Sequence, residues 1–172
     1  MSKILVVVYS YTGTARRLAK LLCKREGWQM AEIAEERPRH GVSGMWRCVL
    51  DSLLRRRPVI RYEGPFPRNF DAVVLVSPIW AGRLAGPMRS FVARRRSHLP
   101  DVAMISVTDS DGGASAVTEV DSLVGEAPIL STAFTAREVE DGTCARRLHF
   151  FGAAVDGAER FHAVSPEAAL SP

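Results

Sequence analysis

Three patterns run in succession through Lys3-Ile4-Leu5-Val6-Val7-Val8-Tyr9, Ser10-Tyr11-Thr12-Gly13-Thr14 and Ala15-Arg16-Arg17-Leu18-Ala19-Lys20-Leu21-Leu22. The first is apolar and rich in β-branched residues, the composition of a strand covered on both faces. The second is a hydroxyl-rich turn around Gly13. The third repeats its apolar residues at helical spacing. A turn between a buried strand and a helix start suits a phosphate. The first N–H groups of the helix lack intrahelical partners, the dipole is positive there, and Ser10, Thr12 and Thr14 add hydroxyl donors. The turn carries neither the lysine of a triphosphate-gripping loop nor the glycine triplet of a dinucleotide fold. A single terminal phosphate is therefore the better match. An ordinary helix-capping turn would use the same residue types, so both readings stay open at this point.

Working outward, the chain alternates strands and helices. Strands are expected at Ile4–Tyr9, Trp28–Ala34, Phe70–Ser77, Val102–Val107 and Pro128–Thr135. Helices are expected at Thr14–Glu26, Ser43–Arg55, Pro87–Ser97, Ala114–Val124 and Glu140–Val155. The second helix rests on Val42, Met45, Trp46, Val49, Leu50, Leu53 and Leu54, which recur at helical spacing. Pro58 to Asn69, with three prolines, reads as a connector. This layout predicts a three-layer α/β/α fold around a five-stranded parallel sheet of order 2-1-3-4-5. Residues 1–156 would form the domain and 157–172 a C-terminal tail. Ligands of such sheets bind beyond the carboxyl ends of the strands, where the strand order reverses. The polar, glycine-bearing loops follow the strands that end there: Ser10–Thr14, Pro78-Ile79-Trp80-Ala81-Gly82 and Thr108-Asp109-Ser110-Asp111-Gly112-Gly113.

Composition narrows the function. The chain has 172 residues, 47% of them hydrophobic and 24% charged, enough for one domain with a real core. No apolar run reaches the roughly 20 residues of a membrane span, so no membrane partner is expected and the cytoplasm is the expected compartment. Cys23, Cys48 and Cys144 are far apart, and neither they nor the four histidines have metal-ligand spacing. No metal site and no acid–base or nucleophile constellation is expected. The net charge is +4, carried mainly by arginine clusters at 16–17, 55–57, 94–96 and 146–147. Aromatic residues are not interleaved with these arginines, which argues against nucleic acid and for solvated helix faces.

These motifs resemble those of the flavodoxin family. Ser10 to Thr14 is similar to its phosphate loop. Asp71 to Gly82, with Pro87 and Phe91 beyond, is similar to its third strand and flavin-ring loop, and Thr108 to Gly113 stands where its third flavin loop stands. The resemblance covers about residues 3–155. It implies non-covalent FMN, with the phosphate on Ser10, Tyr11, Thr12, Gly13, Thr14 and Ala15. The ring would lie between Pro78, Ile79, Trp80, Ala81, Gly82 and Thr108, Asp109, Ser110, Gly112, Gly113, with Trp80 against it. It further implies a redox role, as an electron carrier working with a partner protein or as a small NAD(P)H-dependent reductase of quinone-like acceptors. Three departures stand out. Ala15 replaces a Thr or Ser of the family pattern, which removes one phosphate hydrogen bond worth ~1 kcal/mol. Arg83 and Leu84 follow Gly82 with no acidic or aromatic residue. The chain is basic, whereas electron-carrier flavodoxins are generally acidic. The alternative is a non-catalytic binding module that keeps the fold with weak FMN binding or none.

Overall fold

The structure, a computed structural model, describes residues 2–36, 41–109 and 113–164. Its strands are β1 (Ile4–Val8), β2 (Gln29–Glu35), β3 (Ile60–Tyr62), β4 (Ala72–Trp80), β5 (Arg83–Leu84), β6 (Asp101–Val107) and β7 (Leu130–Phe134). The sheet order is β3-β2-β1-β4-β6-β7, with β5 beside β4. Its five parallel strands, β2-β1-β4-β6-β7, have the expected 2-1-3-4-5 order. Among the described residues the sheet has seven strands rather than five because two short antiparallel strands are added. β3 comes from the proline-rich connector, where Ile60, Arg61 and Tyr62 pair with Glu35, Ala34 and Ile33.

Among the described residues there are six α-helices: α1 (Thr14–Glu26), α2 (Gly41–Leu53), α3 (Gly86–Arg95), α4 (Gly113–Val124), α5 (Ala136–Asp141) and α6 (Ala145–Val164). The alternation along β1 explains the layers. Ile4, Val6 and Val8 face one core with Leu18 and Leu22 of α1, Val139 of α5 and Leu148, Phe151 and Val155 of α6. Leu5 and Val7 face the other, with Met88, Phe91 and Val92 of α3 and Ala116 and Val120 of α4. Each large side chain buried this way contributes roughly 1.5–3 kcal/mol. The expected helix at Glu140–Val155 is two helices. Thr135 and Glu138 form a reciprocal capping box that starts α5 early, and Gly142, at φ 82°, ends it. α6 then runs to Val164, past the Asp156 at which the sequence reading ends the domain.

The second helix forms as expected but does not cross over a sheet face. Ile60 of β3 pairs with Glu35 at the carboxyl end of β2, so residues 36–59 leave and return to the sheet at the same edge. Glu36 N–H donates to the Val59 carbonyl at 3.4 Å across this excursion. α2 thus stands at the carboxyl edge, with Tyr11 donating to the Gly41 carbonyl at 2.9 Å. Its buried residues are Gly44, Cys48, Asp51 and Ser52, and its apolar stripe faces solvent.

Pro78, Ile79 and Trp80, read from sequence as part of a loop, are the last residues of β4. Ala81 (φ 50°) and Gly82 (φ 70°) form a two-residue turn that returns the chain as β5, with Trp80 opposite Arg83 and Ile79 opposite Leu84. Positive φ at both central residues is the signature of the tight hairpin turn that matches strand twist, and an alanine there is strained. Replacing Ala81 with glycine should raise stability by roughly 0.5–1 kcal/mol, read as a higher urea midpoint at unchanged slope.

Candidate functional site

The strand order reverses between β1 and β4, which pair in parallel from Ile4–Ala72 to Val8–Val76. β4 outruns β1 there. Tyr9 N–H donates to the Val76 carbonyl at 3.1 Å, while Ser77 to Trp80 continue as a wall beside the turn that follows β1. Within that turn Gly13 N–H donates to Ser10 Oγ at 3.1 Å, and the Thr12 and Thr14 hydroxyls lie 3.3 Å apart. Gly13, at φ 97°, is the N-cap of α1, and no side chain caps the helix. The first intrahelical bond runs from Arg17 N–H to the Gly13 carbonyl at 2.9 Å. The N–H groups of Thr14, Ala15 and Arg16 therefore have no protein acceptor among the described residues, and no atom lies within 4 Å of where a Gly13 side chain would stand. This is an open mouth of backbone donors at the positive end of a helix, the arrangement a phosphate needs.

Ala15 is buried in the core formed with Leu18 and Leu22. What this position offers the mouth is its N–H. Arg16, next in the chain, is held aside by Glu32 in a fork of Nε–Oε1 (2.8 Å) and Nε–Oε2 (2.9 Å) bonds, and this pairing holds its guanidinium above its usual range.

An aromatic wall borders the mouth. Trp80 packs partly on the core and stands edge-on to Tyr9 (centroids 6.2 Å, 87°) and to Tyr11 (6.0 Å, 84°). The two tyrosines are themselves anchored, Tyr9 to Glu35 Oε1 at 2.5 Å and Tyr11 to α2. From sequence, Tyr9 reads only as the end of a strand. Its signal was an aromatic residue with a polar tip at the last position of an otherwise aliphatic run.

Pro78 pairs with Val107, so Thr108 emerges at the same edge. Thr108 is buried and its N–H donates to the Phe134 carbonyl at 2.9 Å; Asp109 Oδ1 accepts from Ala136 N–H at 3.4 Å. Gly113 opens α4. Ser110 and Gly112 lie outside the described residues. The structure thus gathers Ser10 to Ala15, Pro78 to Gly82, Thr108 and Asp109 at one edge of the sheet.

Two cavities flank this edge. One of about 560 Å³ lies beyond Thr108, between Phe134, Thr135, Glu138 and Arg147. Bonds from the Thr135 backbone and hydroxyl, with Arg147 beside it, hold Glu138 below its usual carboxylate value of 4.5. A carboxylate depressed on folding stabilises above its unfolded value and loses that contribution as the pH falls through its folded one. The stability gap between the wild type and Glu138→Gln should therefore be full near neutral pH and close below about pH 4.5, a course that urea melts across the acid range would trace. The second cavity, about 590 Å³, is lined by Arg55, Arg57, Arg83, Arg96 and the hydroxyl face of α4 at Ser115, Thr118 and Ser122. The one carboxylate in it, Glu119, is spent on buried Arg89. Arg83, on the lining of this cavity, pairs with Trp80 across the β4–β5 hairpin.

Burial pushes the Cys23 thiol up to about 11 and raises that of Cys144. Among the described residues no group of three or more His, Cys, Asp or Glu side chains could hold a metal, and no helix is long and apolar enough to cross a membrane.

No family model and no curated protein matches the chain. Solved structures do. A flavoprotein in complex with FMN from Lactobacillus acidophilus NCFM superposes with TM-score 0.68 at 18% identity, over 82% of this chain and 98% of that one. A WrbA-like flavodoxin from Agrobacterium tumefaciens gives 0.57 at 13%, over 94% and 99%. A flavodoxin from Pseudomonas aeruginosa gives 0.53 at 17%, over 90% and 99%. At these identities the likeness is one of fold, and the chain has the flavodoxin-like fold.

Proposed function

We propose that the carboxyl edge holds FMN and that the protein is a flavodoxin-type redox protein. The observation that carries this reading is the uncapped, glycine-led start of α1 at the strand-order reversal, set beside a half-buried tryptophan. The same fold holds FMN in the L. acidophilus flavoprotein. In this reading the N–H groups of Thr14, Ala15 and Arg16 and the hydroxyls of Ser10, Thr12 and Thr14 bind the phosphate. Trp80 orients the ring, with the Pro78–Gly82 and Thr108–Gly113 backbones at its edges. FMN, when bound, supplies one- or two-electron transfer. The residues around it bind and shield it.

A specific observation favours a reductase over a carrier. The cleft of Arg55, Arg57, Arg83 and Arg96 beside Trp80 suits the phosphates of a nicotinamide dinucleotide. Quinone-like acceptors and a cytoplasmic setting complete this reading. Titration of the apoprotein with FMN, followed by flavin fluorescence, should show saturable quenching. Trp80→Ala should weaken that binding about tenfold while leaving the far-UV dichroism intact. FMN-loaded protein should then oxidise NADH or NADPH in the presence of a soluble quinone. Absence of quenching would leave a non-catalytic module of the same fold; quenching without NAD(P)H oxidation would leave a carrier.

A further inference from the structure

We propose that α2 is a membrane-surface helix, which lays its solvent-facing apolar stripe into the interface of an anionic lipid bilayer. Val42, Met45, Trp46, Leu50 and Leu53 on this helix, and Leu54 just beyond its end, are between 49% and 74% exposed. Its protein-facing side is made of Gly44, Cys48, Asp51 and Ser52. A helix that only closed a core would present these two faces the other way round. Contiguous exposed apolar surface of this kind marks an interaction site.

The charge around the stripe identifies the occupant. Residues 41–59 contain four arginines, at 47, 55, 56 and 57, and a single acid, Asp51. Asp51 is 5% exposed and lies 3.6 Å from Arg56, so α2 presents no exposed carboxylate. A second copy of this chain would set one α2 against another, each with arginines and no exposed carboxylate of its own to answer them. A neutral apolar surface would leave the arginines unanswered. An anionic bilayer meets both demands at once, since apolar side chains enter the acyl boundary while arginines reach the headgroups. At 13 residues α2 is too short to span, so it lies on the surface. The sequence reading expected no membrane partner because nothing is long enough to cross; lying on a membrane needs no crossing. The helix leaves and returns to the sheet at one edge, so it is free to lie flat without disturbing either core.

Co-sedimentation of the full chain with vesicles tests this, using phosphatidylcholine alone and phosphatidylcholine mixed with phosphatidylglycerol. The protein should partition onto the anionic vesicles, and less so as salt rises. Its fluorescence should shift to the blue, a shift that Trp46→Phe removes. The double variant Leu50→Glu/Leu53→Glu should lose about tenfold or more in partitioning while keeping its urea midpoint, because both positions are exposed. Arg47→Gln/Arg57→Gln should weaken binding to anionic vesicles alone. Equal binding to both vesicle types, or unchanged binding by the Leu50→Glu/Leu53→Glu variant, would overturn the proposal. So would self-association abolished by that variant in a protein that ignores vesicles, which would assign the face to a second copy. Binding is expected with and without FMN, so this test and the flavin titration fail independently.

Discussion

Replacing Arg89 with methionine should destabilise the protein by about 3–5 kcal/mol, the largest single-residue effect we expect outside the hydrophobic cores. Arg89 is fully buried, and its whole guanidinium fork is satisfied. Nε donates to Glu119 Oε1; Nη1 donates to the carbonyls of Asp51 (3.2 Å) and Arg56 (3.1 Å); Nη2 donates to those of Ser52 (3.4 Å) and Leu84 (2.8 Å). Asp51 and Ser52 belong to the last turn of α2, where carbonyls have no intrahelical partner. Part of their need is met by the chain itself, through Arg56 N–H to the Asp51 carbonyl (2.8 Å) and Arg55 N–H to the Ser52 carbonyl (3.1 Å). The guanidinium completes the cap with a positive charge at the negative helix end. It also neutralises Glu119, whose other oxygen accepts from Leu84 N–H at 3.1 Å. Methionine fills the volume and supplies none of this, so a buried carboxylate and several carbonyls lose their partner together. Arg89→Lys should cost less but still be clearly destabilising, because an ammonium cannot reach the same set of acceptors. Adding Glu119→Gln to Arg89→Met should recover part of the loss, since the amide keeps an acceptor for Leu84 N–H without a stranded charge. Chemical unfolding of the wild type, Arg89→Met, Glu119→Gln and the double variant closes the cycle. A loss under about 1 kcal/mol for Arg89→Met would mean the guanidinium is not the brace described here.

The second large effect is on binding. Thr12→Glu should reduce FMN affinity by about a hundredfold or more, because it places a carboxylate at the mouth proposed for a phosphate, where like charges meet with little protein between them. Thr12 is exposed, so the substitution costs no packing. A carboxylate just before the N-terminus of α1 should even stabilise the apoprotein by a few tenths of a kcal/mol to about 1 kcal/mol through the helix dipole. The variant is thus expected to melt at or above the wild-type temperature while failing to quench flavin fluorescence. Thr12→Val, which loses the hydroxyl without adding charge, should fall between the two. Tight FMN binding by Thr12→Glu would place the phosphate elsewhere.

Much of this molecule was legible in residue order. The opening strand, turn and helix lie where their periods put them, and helix α1 spans the expected Thr14–Glu26. The five-strand order followed from strands alternating with helices. The open, uncapped turn before α1 was legible because Gly13 flanked by hydroxyl residues, after a buried strand, is a local pattern. Trp80 was legible as a residue at the carboxyl edge of the sheet but not as a strand residue. The hairpin that carries it depends on Ala81 taking a left-handed conformation that alanine does not advertise.

α2 shows the limit. Its heptad-like spacing of Val42, Met45, Trp46, Val49, Leu50, Leu53 and Leu54 announced a helix. Periodicity reports that one face is apolar and says nothing about which neighbour that face meets. Arg89 is the converse case, a charged residue with no pattern around it that became the most completely bonded side chain in the core.

Residue order alone determined the parallel α/β fold and the position of the glycine-led turn, because β alternation, helical spacing and turn chemistry are properties of a few neighbouring residues. Only the tertiary structure decided that α2 turns its apolar face outward and that Arg89 caps it from below, because burial and hydrogen-bond partners are set by segments far apart in the chain.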